Sequence, residues 1–121
     1  EMQSAPSVCL TVDCWTSVIN ESYIAVTAHY LDNHFVLNNT LLECSKITVS
    51  HTGDNIGCEI KRITDKYNVS DKILLVVSDN ANNMVKAVTQ LKWKHFGCYA
   101  HTLNLIVQSA LKRIETLREK I

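Results

Sequence analysis

The chain has 121 residues, 46% of them hydrophobic and 20% charged, with three glycines and one proline. This composition bounds it to one globular domain and excludes a disordered tail or a loop-rich scaffold. Twelve basic side chains cancel twelve acidic ones. No global positive field therefore advertises nucleic acid, and any such binding must come from a local patch or from parts of the protein outside this chain.

Glu1 to Ser7 holds the only proline and reads as a frayed lead-in. Val8 to Asp13 reads as a first strand, with Cys14-Trp15-Thr16-Ser17 leaving it as a loop and Asn20-Glu21-Ser22 as a turn. Tyr23 to Tyr30 is β-branched and aromatic and predicts a second strand. Asp32-Asn33 is a turn dipeptide, and Phe35 to Leu42 or a little beyond predicts a third, less apolar strand nearer an edge. Three strands joined by short turns make an antiparallel meander.

The period then changes. Ile56, Ile60, Ile63 and Tyr67 form one stripe of a helix. Thr52 is its expected N-cap, Asp54 lies in the first turn, where a carboxylate meets the positive helix end, and Asn68 is the expected stop. Lys72 to Asp79 follows as a strand. Its five apolar residues, Ile73 to Val77, run without a break, which predicts cover on both faces, as in the central parallel strand of an α/β layer. Ala81, Met84, Val85, Val88 and Leu91 form a second helical stripe, capped by Asp79 or Asn80. His95 to Cys98 is a short strand or turn. Leu103, Ile106, Val107, Ala110, Leu111, Ile114, Leu117 and Ile121 predict a long amphipathic helix with charged last turns, Lys112-Arg113 and Arg118-Glu119-Lys120.

The expected order is β-β-β-α-β-α-β-α, an α/β mixed sheet with helices packed on it. Asp79 closes the fourth strand and Asp13 closes the first. If those strands are parallel neighbours, the two carboxylates converge at the carboxyl edge, where open α/β sheets bind ligands. Close carboxylates repel unless a cation lies between them, which points to a hard divalent metal with oxygen ligands. The bland alternative for Asp79 is an ordinary helix cap.

Five cysteines without framework spacing read as free thiols of a reducing compartment, with buried thiols as the default for Cys9, Cys14, Cys44 and Cys58. No signal peptide or membrane-spanning run is seen. Cys98-x-x-His101 is half of a zinc site with no second pair at finger spacing. Trp15 could stack on a base but more often such a residue packs beside a sheet. Trp93 and Phe96 read as core over the fifth strand.

Four strings then carry a resemblance: Thr11-Val12-Asp13-Cys14-Trp15-Thr16-Ser17, His51-Thr52-Gly53-Asp54-Asn55-Ile56, Val77-Ser78-Asp79-Asn80-Ala81-Asn82-Asn83-Met84, and Cys98-Tyr99-Ala100-His101-Thr102-Leu103-Asn104-Leu105. Together they cover nearly the whole chain. They resemble the hAT transposase superfamily and its BED-zinc-finger, transposase-derived relatives, and the order of elements resembles the ribonuclease-H-like fold. The resemblance implies a partial catalytic core over residues 1–121, with residues 102–121 as a helix leading into an insertion domain. It also implies a nuclear protein acting on DNA, oligomeric through segments outside this chain, with an Asp-Asp-Glu triad and two Mg²⁺ or Mn²⁺ ions. Asp13 and Asp79 match the first two acids. The family has the Cys98-x-x-His101 motif just after the fifth strand, close to the active site, which implies that His101 and Cys98 face the DNA; the bland alternative is a helix-start histidine with a buried cysteine. In the family the third acid lies far downstream, beyond that insertion; Glu115 and Glu119, three to four turns into the last helix, are expected to lie far from the sheet edge. The alternative is a domesticated, catalytically inactive DNA-binding regulator that keeps the fold as a scaffold. Asn82 departs from the family's usual small residue.

Overall fold

A computed structural model describes residues 2–119. Glu1, Lys120 and Ile121 lie outside the described residues, as do the side chains of Gln3 and Arg118. The predicted order is found: β1 (Val8–Thr16), β2 (Ser22–Leu31), β3 (Leu37–Ile47), α1 (Gly53–Lys66), β4 (Ile73–Ser78), α2 (Asn82–Gln90), β5 (Lys94–Gly97) and α3 (Tyr99–Glu119), with short 3-10 turns at Met2–Ser4 and Ser70–Lys72. The five strands form one mixed sheet ordered β3-β2-β1-β4-β5. The meander β1-β2-β3 is antiparallel, and β1-β4-β5 is parallel.

β1 is longer than predicted. Cys14, Trp15 and Thr16 pair with Ile24, Tyr23 and Ser22 of β2 rather than leaving as a loop. The turn between them closes when the Ser17 N–H donates to the Glu21 carbonyl at 2.7 Å, with Asn20 in the left-handed region at φ 62°. β3 starts later than predicted because Asp32 builds the preceding turn. Its Oδ1 accepts the N–H groups of His34 (2.8 Å) and Val36 (3.0 Å), and Phe35 sits at φ 59°. Side-chain acceptance of two backbone donors holds this bulky residue in an unusual conformation.

α1 follows its local code. Thr52 accepts the Asn55 N–H, Asp54 lies in the first turn, and Asn68 ends the helix at φ 57°. The Val69 N–H returns to the Thr64 carbonyl at 3.0 Å, closing a Schellman-type end. Ile56, Ile60 and Ile63 are buried, and the Tyr67 hydroxyl donates to the Leu42 carbonyl at 2.7 Å. Arg62 and Lys66 also pair with Glu43 on β3, tying the helix to that side of the sheet. α2 lies against α1 at Gly57, where a Cβ would come within 3.5 Å of the Ala87 carbonyl oxygen.

The N-cap of α2 corrects the sequence reading. It is Ala81, with no side-chain cap, rather than Asp79 or Asn80. Asp79 acts one step earlier, accepting the Ala81 N–H on Oδ1 at 3.1 Å.

The core lies between α1, α2 and one face of the sheet. Val8, Leu10, Val12, Ile24, Val26, Ala28 and Val76 supply that face. The other face is open among the described residues. The continuous apolar run of β4 predicted cover on both sides, yet Leu74 is 51% exposed, and Leu75 and Val77 are only half-buried. α3 provides no cover: all its described side chains are exposed.

Candidate functional site

β1 and β4 run parallel and adjacent, with Thr11 opposite Val77. Asp13 stands two residues beyond Thr11 within β1, and Asp79 two residues beyond Val77, just past the end of β4. Side chains alternate along a strand, so Asp13 follows Thr11 onto the open face. Neighbouring strands lie about 4.8 Å apart. The two acids, 66 residues apart in sequence, are thus brought to the same end of the sheet.

Cys14 lies on the other face of β1 from Asp13, packed against the core. Burial pushes its thiol up to about 11, and the negative charges of Asp79 and Asp13 push it in the same direction.

The ends of β4 and β5 are clamped around Asp79. Ser78, just before it, is 2% exposed, and its carbonyl accepts the Cys98 N–H at 2.6 Å. The Ser78 hydroxyl lies 2.7 Å from His95 Nε2 and 3.0 Å from the Asp79 carbonyl oxygen. Asn80, just after Asp79, lays its side chain against Gly97. Further into this segment, Asn83 Nδ2 donates to the His51 carbonyl at 2.9 Å, joining the second and third of the four sequence strings. Asp13 is held by the strand ladder itself, opposite Ala25 of β2.

No ion pair to either acid is seen among the described residues. Two unpaired carboxylates on adjacent strands form a hard-oxygen donor set. Mg²⁺ is commonly held by one or two carboxylates, with waters and substrate phosphates filling its shell. The pair therefore fits part of a divalent-cation site. Among the described residues no three His, Cys, Asp or Glu side chains gather into a fuller one. Glu115 and Glu119 lie sixteen and twenty residues beyond Tyr99, which places them about 24 and 30 Å along α3.

The other expected site residues are placed as follows. Trp15 is on the same face of β1 as Asp13, 41% exposed, and stacks on Tyr23 with ring centroids 5.6 Å apart. One side of the indole is thus packed, as the packing alternative expected. Cys98 is half-buried beside the end of β4, and its carbonyl accepts the Thr102 N–H at 3.1 Å. His101 is exposed in the first turn of α3, which begins at Tyr99, earlier than predicted.

Some residues were misread. Phe96 pairs with Val77 on the open face and is 56% exposed rather than core, whereas Trp93 does pack against the core. Cys44 and Cys58 are exposed, and Cys9 and Cys14 are half-buried, so the buried-thiol default fails for them. Cys14 carried no motif of its own; its place immediately after an acid was the available signal. The contact of Asn80 with Gly97 had no local signal, because it joins two strand ends.

Residues 11–102 match the family model of the ZBED1 RNase-like domain. The chain is 29% identical to "Putative AC transposase" of Zea mays over 92% of its own length and 16% of that protein's. It is 26% identical to "Putative transcriptional regulator tpeD" of Talaromyces stipitatus, over 95% of this chain and 15% of the relative. It is 31% identical to "Zinc finger BED domain-containing protein 6" of Homo sapiens, over 82% and 11%. The chain thus spans less than a fifth of the length of these relatives, which include a transposase and a transcriptional regulator. With the family model spanning the strand that bears Asp13, the strand end that bears Asp79 and the turn that bears His101, this chain belongs to the ZBED1 RNase-like domain family and has its ribonuclease-H-like fold.

Proposed function

We propose that the chain is part of an hAT-type transposase core, with Asp13 and Asp79 as the first two acids of an Asp-Asp-Glu triad acting on DNA. The observation that carries this reading is that β1 and β4 are adjacent and parallel, which brings Asp13 of β1 and Asp79, just past β4, to the same end of the sheet. The likeness to a protein named as a transposase supports it. When bound, Mg²⁺ or Mn²⁺ would activate the attacking oxygen and neutralise the leaving one in strand hydrolysis and transesterification.

The chain's own contribution is to present acceptor oxygens from a rigid strand pair. Asp13 is held by its ladder to β2, and Asp79 by the Ala81 N–H. Trp15, Cys98 and His101 are the proposed DNA-contacting residues around that edge. The Glu is supplied from outside residues 1–121, past an insertion domain that the 102–121 helix enters. The working protein is nuclear and homo-oligomeric through segments beyond this chain. Among the described residues no helix is long and apolar enough to cross a membrane.

Asp13→Asn and Asp79→Asn in the full-length protein test the reading. Each is expected to lower Mg²⁺- or Mn²⁺-dependent DNA strand cleavage by at least about 100-fold, on the scale of losing an electrostatic catalytic group. Circular dichroism should remain native. Cleavage at the parent rate in both variants would remove the assigned roles.

A second reading is favoured by the likeness to a named transcriptional regulator. In it the fold is a scaffold for DNA binding and regulation, without catalysis. A full-length parent protein that binds DNA yet leaves every strand intact in Mg²⁺ and in Mn²⁺ selects this reading.

A further inference from the structure

We propose that Asn80 and Gly97 form a latch that positions Asp79, making both positioning residues rather than ligands. The proposal rests on the metal-binding reading of Asp79 and names what holds that acid in place.

Position 97 is a glycine. No glycine in the described chain has a positive φ, so the backbone does not require one here. Space does. A Cβ at position 97 would lie 2.7 Å from Asn80 Nδ2 and 2.9 Å from Asn80 Cγ. The Asn80 side chain occupies the volume that any other residue at 97 would fill.

This contact completes a frame around Asp79. On its N-terminal side, Ser78 is opposite Gly97 in the parallel ladder, and its carbonyl accepts the Cys98 N–H at 2.6 Å. On its C-terminal side, Asn80 is seated on Gly97 itself. Ser78 is thus bonded to the end of β5, and the exposed Asn80 side chain lies in contact with it. Asp79 lies past the last residue of β4 and has no ladder of its own. Its one hydrogen bond from the described backbone is to Ala81, within the same short segment. Without Asn80 on Gly97, that segment has no tie to the sheet on its far side until Asn83 reaches the His51 carbonyl. A carboxylate that must stay level with Asp13 needs the nearer tie.

The test is a double-mutant cycle in the full-length protein: Gly97→Ala, Asn80→Ala and the two together. Two quantities are read. One is amide hydrogen exchange over Asp79–Met84 without metal, and the other is Mn²⁺ affinity by calorimetry. Gly97→Ala is expected to speed exchange and weaken Mn²⁺ binding, each by about tenfold, the low end for losing a group that orients a ligand. In the Asn80→Ala background the same glycine change should add little, because the clash has gone. Should Gly97→Ala fail to fold, Asn80→Ala alone, which adds no bulk, should still speed exchange over the same segment.

Exchange at the parent rate in Asn80→Ala, or an equal effect of Gly97→Ala in both backgrounds, would overturn the latch. Asp79→Asn separates the two layers of the argument. If it leaves Mn²⁺ affinity unchanged, the metal reading falls and takes the latch's positioning role with it. If it weakens Mn²⁺ while Gly97→Ala changes neither quantity, the latch alone falls.

Discussion

The two faces of the sheet are built by the same strands but hold opposite kinds of residue. On the side of α1 and α2, β1 presents Val8, Leu10 and Val12, all at most 4% exposed. On the other side the same strand presents Cys9, Thr11, Asp13 and Trp15, half-buried or exposed. Thr11 there is bonded to His29 on β2 at 3.1 Å rather than packed against a helix. One face secures the fold and the other displays polar groups at its carboxyl edge. A site can be placed on the open side because the covered side does not depend on it.

The largest test of that contrast is on the covered face. Ile60 is fully buried between α1 and the sheet. Ile60→Ala deletes apolar contacts and leaves a cavity that a close-packed core fills poorly, at an expected cost of about 2–5 kcal/mol. Urea denaturation checks it. A loss under about 1 kcal/mol would mean that the helix layer is looser than its burial indicates.

A smaller effect is expected at the boundary, from Cys14. Its ordinary value is 9.0, and in the folded chain burial, Asp79 and Asp13 raise it to about 11. Below pH 9 the thiol is protonated in both folded and unfolded chains and contributes no slope. Between pH 9 and 11 the unfolded chain gives up its proton while the folded one keeps it, so stability falls as pH rises. The full shift would correspond to about 3 kcal/mol by pH 11, and solvent screening at this half-buried site makes the contribution smaller. Cys14→Ala should remove that part of the alkaline decline, seen as the difference between the two proteins' urea midpoints across this range. Asp79→Asn should shrink it, because one of the charges opposing thiolate formation is gone. An alkaline limb unaltered by both substitutions would argue that the carboxylates do not meet around this sulfur.

How far this arrangement was legible depends on how local its causes are. α1 was readable from Thr52 to Asn68 because cap, stripe and stop are set within one segment. The acids were readable because continuous or strand-like runs ended at each of them. The last third of β1 was not, since Cys14, Trp15 and Thr16 become strand by pairing with β2. Phe35 was read into a strand because its left-handed conformation is imposed by Asp32, three residues earlier. Phe96 was assigned to the core from its type alone. Its side of the sheet is fixed by pairing with Val77, which no pattern in a four-residue strand reveals. The Asn80–Gly97 contact needed β4 and β5 to be neighbours before it could be seen at all.

The smallest predicted effect is on α3, which carries an apolar stripe as α1 does but in different surroundings. Both helices carry an apolar stripe, yet Ile60 of α1 is fully buried whereas Ile106 of α3 is 61% exposed. In the chain of residues 1–121, Ile106→Ala removes no buried contact and introduces the best helix former. Its expected effect on stability is within about 0.5 kcal/mol of zero, as at other exposed sites. Urea denaturation of this variant beside Ile60→Ala makes the comparison directly, one isoleucine truncation against another. A cost for Ile106→Ala approaching that of Ile60→Ala would mean that the α3 stripe is buried in solution, against the sheet's open face or against a second copy of the chain. The contrast between a covered and an uncovered face would then no longer describe the folded chain.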